Sequence, residues 1–306
     1  MLEKREPILF DEETLHRGYR SCRASVKKHL KGFLWPISNV AGENRQGLDA
    51  LLTHLLTTLD LLDLESTNGL SLEVWHEIRD DLSDAFRDQY ANVELAALVD
   101  TARRFSVPRE YLFDPLRGAD LWIRTRKFET FQELETFCSY IGGSYLLAAV
   151  PIIGYLKPDY ELPAIACGKA IMLTQIMANC VNDMKHNRVF LAQDDLKEYE
   201  VDVSRMKMRR EHPSLRHVMR LYASRVEKLF QQGVQLVGHL DFDGKRTLTT
   251  VLAWHWKLLT RIQRDPESVL QEEGVLSKKE MLGLQSRHLL GMNQYLPILP
   301  ETDEHH

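Results

Sequence analysis

Asn179 and Asp183 stand one helical turn apart in the segment 168–196, GKAIMLTQIMANCVNDMKHNRVFLAQDDL, an amphipathic helix that runs into a basic, aromatic exit loop. Side chains at i and i+4 leave a helix on the same face, so this pair offers two oxygens to one hard cation such as Mg2+. Lys185, His186 and Arg188 follow directly, where they can meet the anionic groups such a metal would hold. Taken alone, the segment reads more simply as a helix end with a solvated charge cluster.

Other segments carry candidate chemistry. Asp60 and Asp63 close the markedly apolar stretch LDALLTHLLTTLDLLD, and at i and i+3 both carboxylates can share one helix edge. Acids on so apolar a helix call for a partner or a metal, unless the helix simply ends in water there. The literal pattern DDxxD occurs once, at Asp80 to Asp84, but acids and arginines alternate around it in EIRDDLSDAFRD, as on a solvated face. Near the N-terminus, Lys27, Lys28, His29 and Lys31 precede Phe33, placing cations beside an apolar turn. That suits a substrate with an anionic head and a greasy tail, and equally suits snorkelling surface lysines. Arg117, Arg124 and Arg126 precede a small-residue patch at Gly142, Gly143 and Ser144, where a ligand or a second helix can approach closely.

The elements that position these residues are expected to be helical throughout. Helical periodicity predicts helices over 11–31, 43–64, 71–87, 91–104, 108–118, 130–148, 161–186, 192–198, 213–237, 242–264 and 277–290, with breaks at Pro36, Gly69, Pro108, Pro158, Pro213 and Pro266. No alternating β-branched run is long enough to build a sheet, so the fold class is all-α. None of the breaks has linker composition, which favours one domain over 19–292 between an N-terminal segment, 1–18, and a frayed tail, 293–306.

A chain of 306 residues that is 44% apolar and 27% charged can bury a large core. Its net charge of -5 provides no overall basic field, which argues against a nucleic-acid partner. Cys22, Cys138, Cys167 and Cys180 are scattered without metal-ligand spacing, and read as reduced, mostly buried thiols of a cytosolic protein. The charged N-terminus lacks the apolar run of a signal peptide. The uncharged stretch between Glu135 and Lys157 is about as long as a bilayer span, but its glycines and Pro151 favour a bent core helix. Peripheral association with a membrane stays open.

In order along the chain, these segments resemble the squalene/phytoene synthase family from about Tyr19 to about Met281. CRASVKKHLKGF is similar to the family's diphosphate-binding segment, retaining His29, Lys31 and Phe33, with Leu30 and Gly32 in place of two serines. The same register brings the family's first aspartate-rich motif onto Leu59 to Asp63. DLWIRTRKFETFQELETFC looks like the central region, and LTQIMANCVNDMKHNRVFLAQDDLKEYEVD looks like the second aspartate-rich region. WKLLTRI and GVLSKKE are similar to the closing segments. The resemblance implies an isoprenoid synthase helical bundle around a central cavity, in which two facing helices hold Mg2+ and the diphosphates of two prenyl diphosphates. One donor ionises and couples head to head with the other. Divalent metal and basic side chains would stabilise the departing diphosphate, while a dry apolar tunnel protects the carbocation.

On this register the implied catalytic residues are Asp60, Asp63, Asn179 and Asp183, with Asp63, Asn179 and Asp183 as metal ligands. The implied substrate-binding residues are His29, Lys31, Phe33, Phe137, Ile141, Gln175, Arg188 and His255. Phe33, Phe137, Ile141, Tyr145 and Leu146 would set the tunnel depth, and the bulk of Tyr145 and Leu146 suggests a shortened tunnel with farnesyl favoured over geranylgeranyl. The departures fall at the chemistry. Leu56 and Leu59 replace an arginine and the first aspartate, and Asn179 and Asn182 occupy acidic positions. Met172, Gln175 and His255 stand where the family usually has Gln, Asn and Tyr. Asparagine coordinates through its carbonyl but brings no charge, so Mg2+ binding is expected to be weakened or lost. Three functions remain in view: a head-to-head prenyl synthase, an enzyme acting on a single prenyl diphosphate, and a non-enzymatic member that keeps the fold to bind lipid or a partner. Use of NADPH and the oligomeric state are left open.

Overall fold

The computed structural model describes residues 11–30, 37, 40–68, 71–210, 213–271, 275, 276, 280 and 283, with the helical backbone alone for 63–68 and 71. The all-α expectation holds. Helices α1 (Glu12–His29), α2 (Gly42–Asn68), α3 (Ser71–Ala85), α4 (Val93–Arg104), α5 (Glu110–Thr125) and α6 (Phe131–Cys138) lead into a π-helical turn, Ser139–Gly143. Helices α7 (Ser144–Ile153), α8 (Glu161–Lys185), α9 (Gln193–Glu198), α10 (Val203–Lys207), α11 (Pro213–Gly233) and α12 (Phe242–Arg264) follow, with 3-10 turns at Val234–His239 and Pro266–Leu270. Among the described residues there is no strand, although one isolated antiparallel bridge joins Tyr155 to Leu240.

Local sequence accounts for most boundaries. Asp11, Asn92, Thr130 and Asp241 cap α1, α4, α6 and α12 by accepting backbone N–H bonds from Thr14, Leu95, Glu133 and Gly244. The helix expected over 108–118 runs on to Thr125, and left-handed Arg126 (φ 61) ends it. That expected over 130–148 is broken by the π turn and ends at Ile153, before Gly154 at φ 96. The one over 213–237 tightens into 3-10 geometry after Gly233. Helix α10 carries too little periodicity to be foreseen, and the segment 277–290 lies outside the described residues apart from 280 and 283. Two stretches, Phe131–Ile153 and Glu161–Lys185, are long and apolar enough to cross a membrane, and 61% of each hydrophobic window is buried inside the bundle. All four cysteines are buried.

Helix α8 is the spine. It packs against α11, α7, α12 and the π turn, while α2 and α5 also pack on α7. Contact with the π turn is backbone to backbone: a Cβ on Gly142 would collide with the carbonyl oxygen of Gly168, and one on Gly168 with the carbonyl oxygen of Gly142. One residue earlier on α8, a Cβ on Gly233 would come within 2.5 Å of the Cys167 Cα. Because backbone cannot yield as a side-chain end can, Gly168→Ala is expected to destabilise the protein by ~2–3 kcal/mol. Gly238→Ala, where a Cβ meets open space, should stay within ~0.5 kcal/mol of the parent. Urea unfolding of both variants checks the pair, and equal midpoints would remove the close approach as a constraint.

Candidate active site

Along α8 the stripe Gly168, Met172, Gln175, Asn179, Asp183 follows the three- and four-residue steps of one helix face. Its first half is sealed against the π turn, where a Cβ on Gly142 would lie 3.0 Å from the Met172 Cβ. The second half carries polar side chains. Gln175 is half-buried and Asn179 exposed, while Thr174, Met177, Cys180, Val181 and Met184 turn into the core.

Gln175, Asn179 and His255 form one hydrogen-bonded chain. The His255 ring donates from Nδ1 to the Val251 carbonyl at 2.7 Å, since a carbonyl only accepts. Its Nε2 therefore accepts from Gln175 Nε2 at 3.0 Å, and Gln175 Oε1 accepts from Asn179 Nδ2 at 3.4 Å. The directions are mutually consistent and leave the Asn179 carbonyl oxygen outside the relay. Burial lowers the His255 pKa to about 4, so the ring is neutral and the whole relay is uncharged at neutral pH.

Asp183 and Arg188 form a second unit. The Asp183 carbonyl accepts backbone N–H bonds from His186 and Arg188, each at 2.9 Å, around left-handed Asn187 (φ 60). This turn swings Arg188 back, and its Nη2 meets Asp183 Oδ1 at 2.8 Å with both side chains mostly buried. Arg188 thus answers the acid beside it. Lys185 and His186 are exposed.

The other sequence-derived residues lie elsewhere. Asp60 is exposed on α2, with Leu56 and Leu59 packed partly into the core. Asp63 sits on the same helix with its side chain outside the described residues, as are Lys31 and Phe33 altogether. His29 ends α1, exposed, with Nδ1 donating to the Ser25 carbonyl at 2.9 Å. Phe137 is fully buried, its ring 5.1 Å from Phe128 and 5.7 Å from Phe190. Ile141 is equally buried, in the π turn against Gly118. Tyr145 is buried with its hydroxyl donating to the Leu51 carbonyl, which ties α7 to α2. The pairing of Gln175 with His255 has no local signal in the sequence, because 80 residues separate them. The i, i+4 spacing of Gln175 and Asn179 was readable.

These donors do not by themselves fit a Mg2+ centre that holds diphosphates. Asn179 offers one neutral oxygen, and the Asp183 charge is shared with Arg188. Among the described residues no three His, Cys, Asp or Glu side chains converge as a metal shell.

The helical bundle with α8 at its centre has the isoprenoid synthase fold. A dehydrosqualene synthase crystal structure superposes with a TM-score of 0.80 at 20% identity, covering 92% of this chain and 99% of that one. A squalene synthase from Alicyclobacillus acidocaldarius gives 0.74 at 19% identity, over 83% of this chain and 96% of that one. Phytoene synthase from Arthrospira platensis is 23% identical over 294 residues, spanning 92% of this chain and 95% of the relative. Chloroplastic phytoene synthase 1 from Solanum lycopersicum is 23% identical over 90% of this chain and 68% of its own. Residues 26–280 match the squalene/phytoene synthase family profile, and the chain belongs to that family of prenyl transferases.

The neutral His255 makes a pH prediction. Its folded pKa of about 4 lies below the ordinary 6.5, so its contribution to stability is complete above pH 6.5 and is lost as pH falls towards 4. The ring is 3% exposed, so the shift corresponds to ~3 kcal/mol. His255→Gln should flatten this acid limb, narrowing the stability gap to the parent by about that amount between pH 7 and pH 4. Buried His54 titrates in the same direction but is common to both proteins. Parallel acid limbs in urea titrations would refute the assignment.

Proposed function

We propose that the chain is a prenyltransferase of the squalene/phytoene synthase type, joining two prenyl diphosphates head to head, with farnesyl preferred to geranylgeranyl. The observation that carries this reading is the polar face of α8. Gln175, Asn179 and Asp183 sit in register on a helix otherwise committed to an apolar core, as a reacting site in a dry bundle requires. In this reading His29 meets the anionic head, and the apolar walls keep water from the carbocation. The Asn179 carbonyl, aimed by the relay, turns its negative end to the developing positive charge without the nucleophilicity of a carboxylate. No step is assigned to Mg2+. Buried Tyr145 supports the shorter donor, whereas the phytoene synthase names of the relatives weigh towards the longer one. Synthesis of so apolar a product fits a cytosolic protein that touches membrane peripherally.

A second reading, a diverged or non-enzymatic member that binds lipid or a partner, is favoured by the Asp183–Arg188 pair and by Leu59 at an acid's position. Incubation of the purified protein with farnesyl or geranylgeranyl diphosphate, Mg2+ and NADPH, followed by hydrocarbon extraction and diphosphate assay, separates them. A C30 product is expected. Diphosphate release without coupled hydrocarbon would replace the proposal with single-donor chemistry, and neither signal would leave the binding reading. Tyr145→Ala is expected to raise the C40 to C30 ratio at least ~10-fold, by clearing about one aromatic ring from the tunnel.

A further inference from the structure

Helices α3 and α5 flank an open groove of about 470 Å3 on elements that carry none of the residues assigned to the prenyl site. That volume falls within the range of small-molecule sites. Its floor is Trp75, Phe113 and Leu116, with Trp75 locked in place by its indole N–H donating to the Leu116 carbonyl at 2.8 Å. Its rim is cationic. Arg79 lies over the Trp75 ring at 4.9 Å, and Arg109 lies over Phe113 at 5.1 Å and Phe86 at 5.5 Å. Arg109, Phe113 and Arg117 follow at i, i+4 and i+8 along one face of α5.

The charges there are not equally engaged. Arg79 pairs with Asp80 at 2.8 Å and Arg117 with Asp114 at 2.6 Å, while the lining acid Asp120 is held by Arg124 at 2.8 Å. Glu110 is the other acid in the lining. Among the described residues Arg109 pairs with no carboxylate, and its guanidinium lies over aromatic rings. It also starts α5 without a side-chain cap, so the positive end of that helix adds to its field. Guanidinium planes backed by aromatic rings present flat plates for stacking and in-plane donors for an oxyanion.

We propose that the α3–α5 groove is a binding site for a small organic anion, a phosphate or carboxylate carried on a flat apolar body, with Arg109 as its principal cation. The site is independent of the prenyl chemistry, and a chain that makes no hydrocarbon would still carry it.

1-Naphthyl phosphate, 1-naphthol and inorganic phosphate are the probes, read by calorimetry and by amide hydrogen exchange on the full chain. The aryl phosphate is expected to slow exchange in the peptides spanning 71–86 and 109–120, and to bind at least ~10-fold tighter than either fragment. Arg109→Ala should weaken it ~10-fold or more, and Arg109→Lys by less, because the charge survives while the stacking plate is lost. Unchanged affinity in Arg109→Ala, protection confined to other peptides, or equal binding of inorganic phosphate would each overturn the proposal.

Discussion

The mutual approach of Gly142 and Gly168 sets the rotation of α8, and the candidate site is a consequence of that rotation. Each residue of an α-helix turns by about 100°, so a shift of one position at the glycine contact would carry Gln175, Asn179 and Asp183 off their stripe. Contact without side chains is what lets the π turn lie against the helix, and the π turn in turn carries Ile141 against Gly118 on α5. Small residues here therefore do more than fill space. They fix which face of a buried helix continues as a polar wall two turns further on.

The wall is polar but electrically quiet. Burial keeps the His255 ring unprotonated, the amides of Gln175 and Asn179 carry no formal charge, and Asp183 is compensated by Arg188. A neutral relay has one clear advantage in such surroundings. It satisfies the buried His255 ring and carries the hydrogen bonding out through half-buried Gln175 to exposed Asn179, without the large desolvation cost that a buried isolated carboxylate would incur. His255 anchors the chain because its Nδ1 donates to the backbone of its own helix, α12, so the ring orientation follows from helix packing alone.

Much of the fold was legible because helix formation here is local. Apolar periodicity, prolines and capping residues mark α1, α4, α8 and α12 to within two or three residues, and the family resemblance supplied their arrangement. What periodicity cannot mark is a change of helix type. The π turn at Ser139–Gly143 inserts its extra residue inside an uncharged run, and α5 continues past Pro115 because its stop, Arg126, is a backbone conformation rather than a residue type. In the site, the α8 spacing was readable and the partners were not. Gln175 meets His255 across the bundle, and Arg188 reaches Asp183 only because Asn187 adopts a left-handed turn. Phe137 and Ile141, expected along a tunnel, are fully buried core residues at the positions described.

A compensated α8 wall presents shape and dipoles rather than net charge. An uncharged relay and an internally paired acid attract a polyanion weakly at long range, whereas Lys27, Lys28 and His29 stand exposed on α1. The aromatic side chains of the core cannot easily move. Tyr145 is held by its hydroxyl to the α2 backbone, and Trp122, Phe128, Phe137 and Phe190 pack as one aromatic cluster. Rigid aromatics of this kind discriminate by exclusion rather than by charge. The asparagine at position 179 suits such a wall, because it presents a directed dipole where the family resemblance implies a charge.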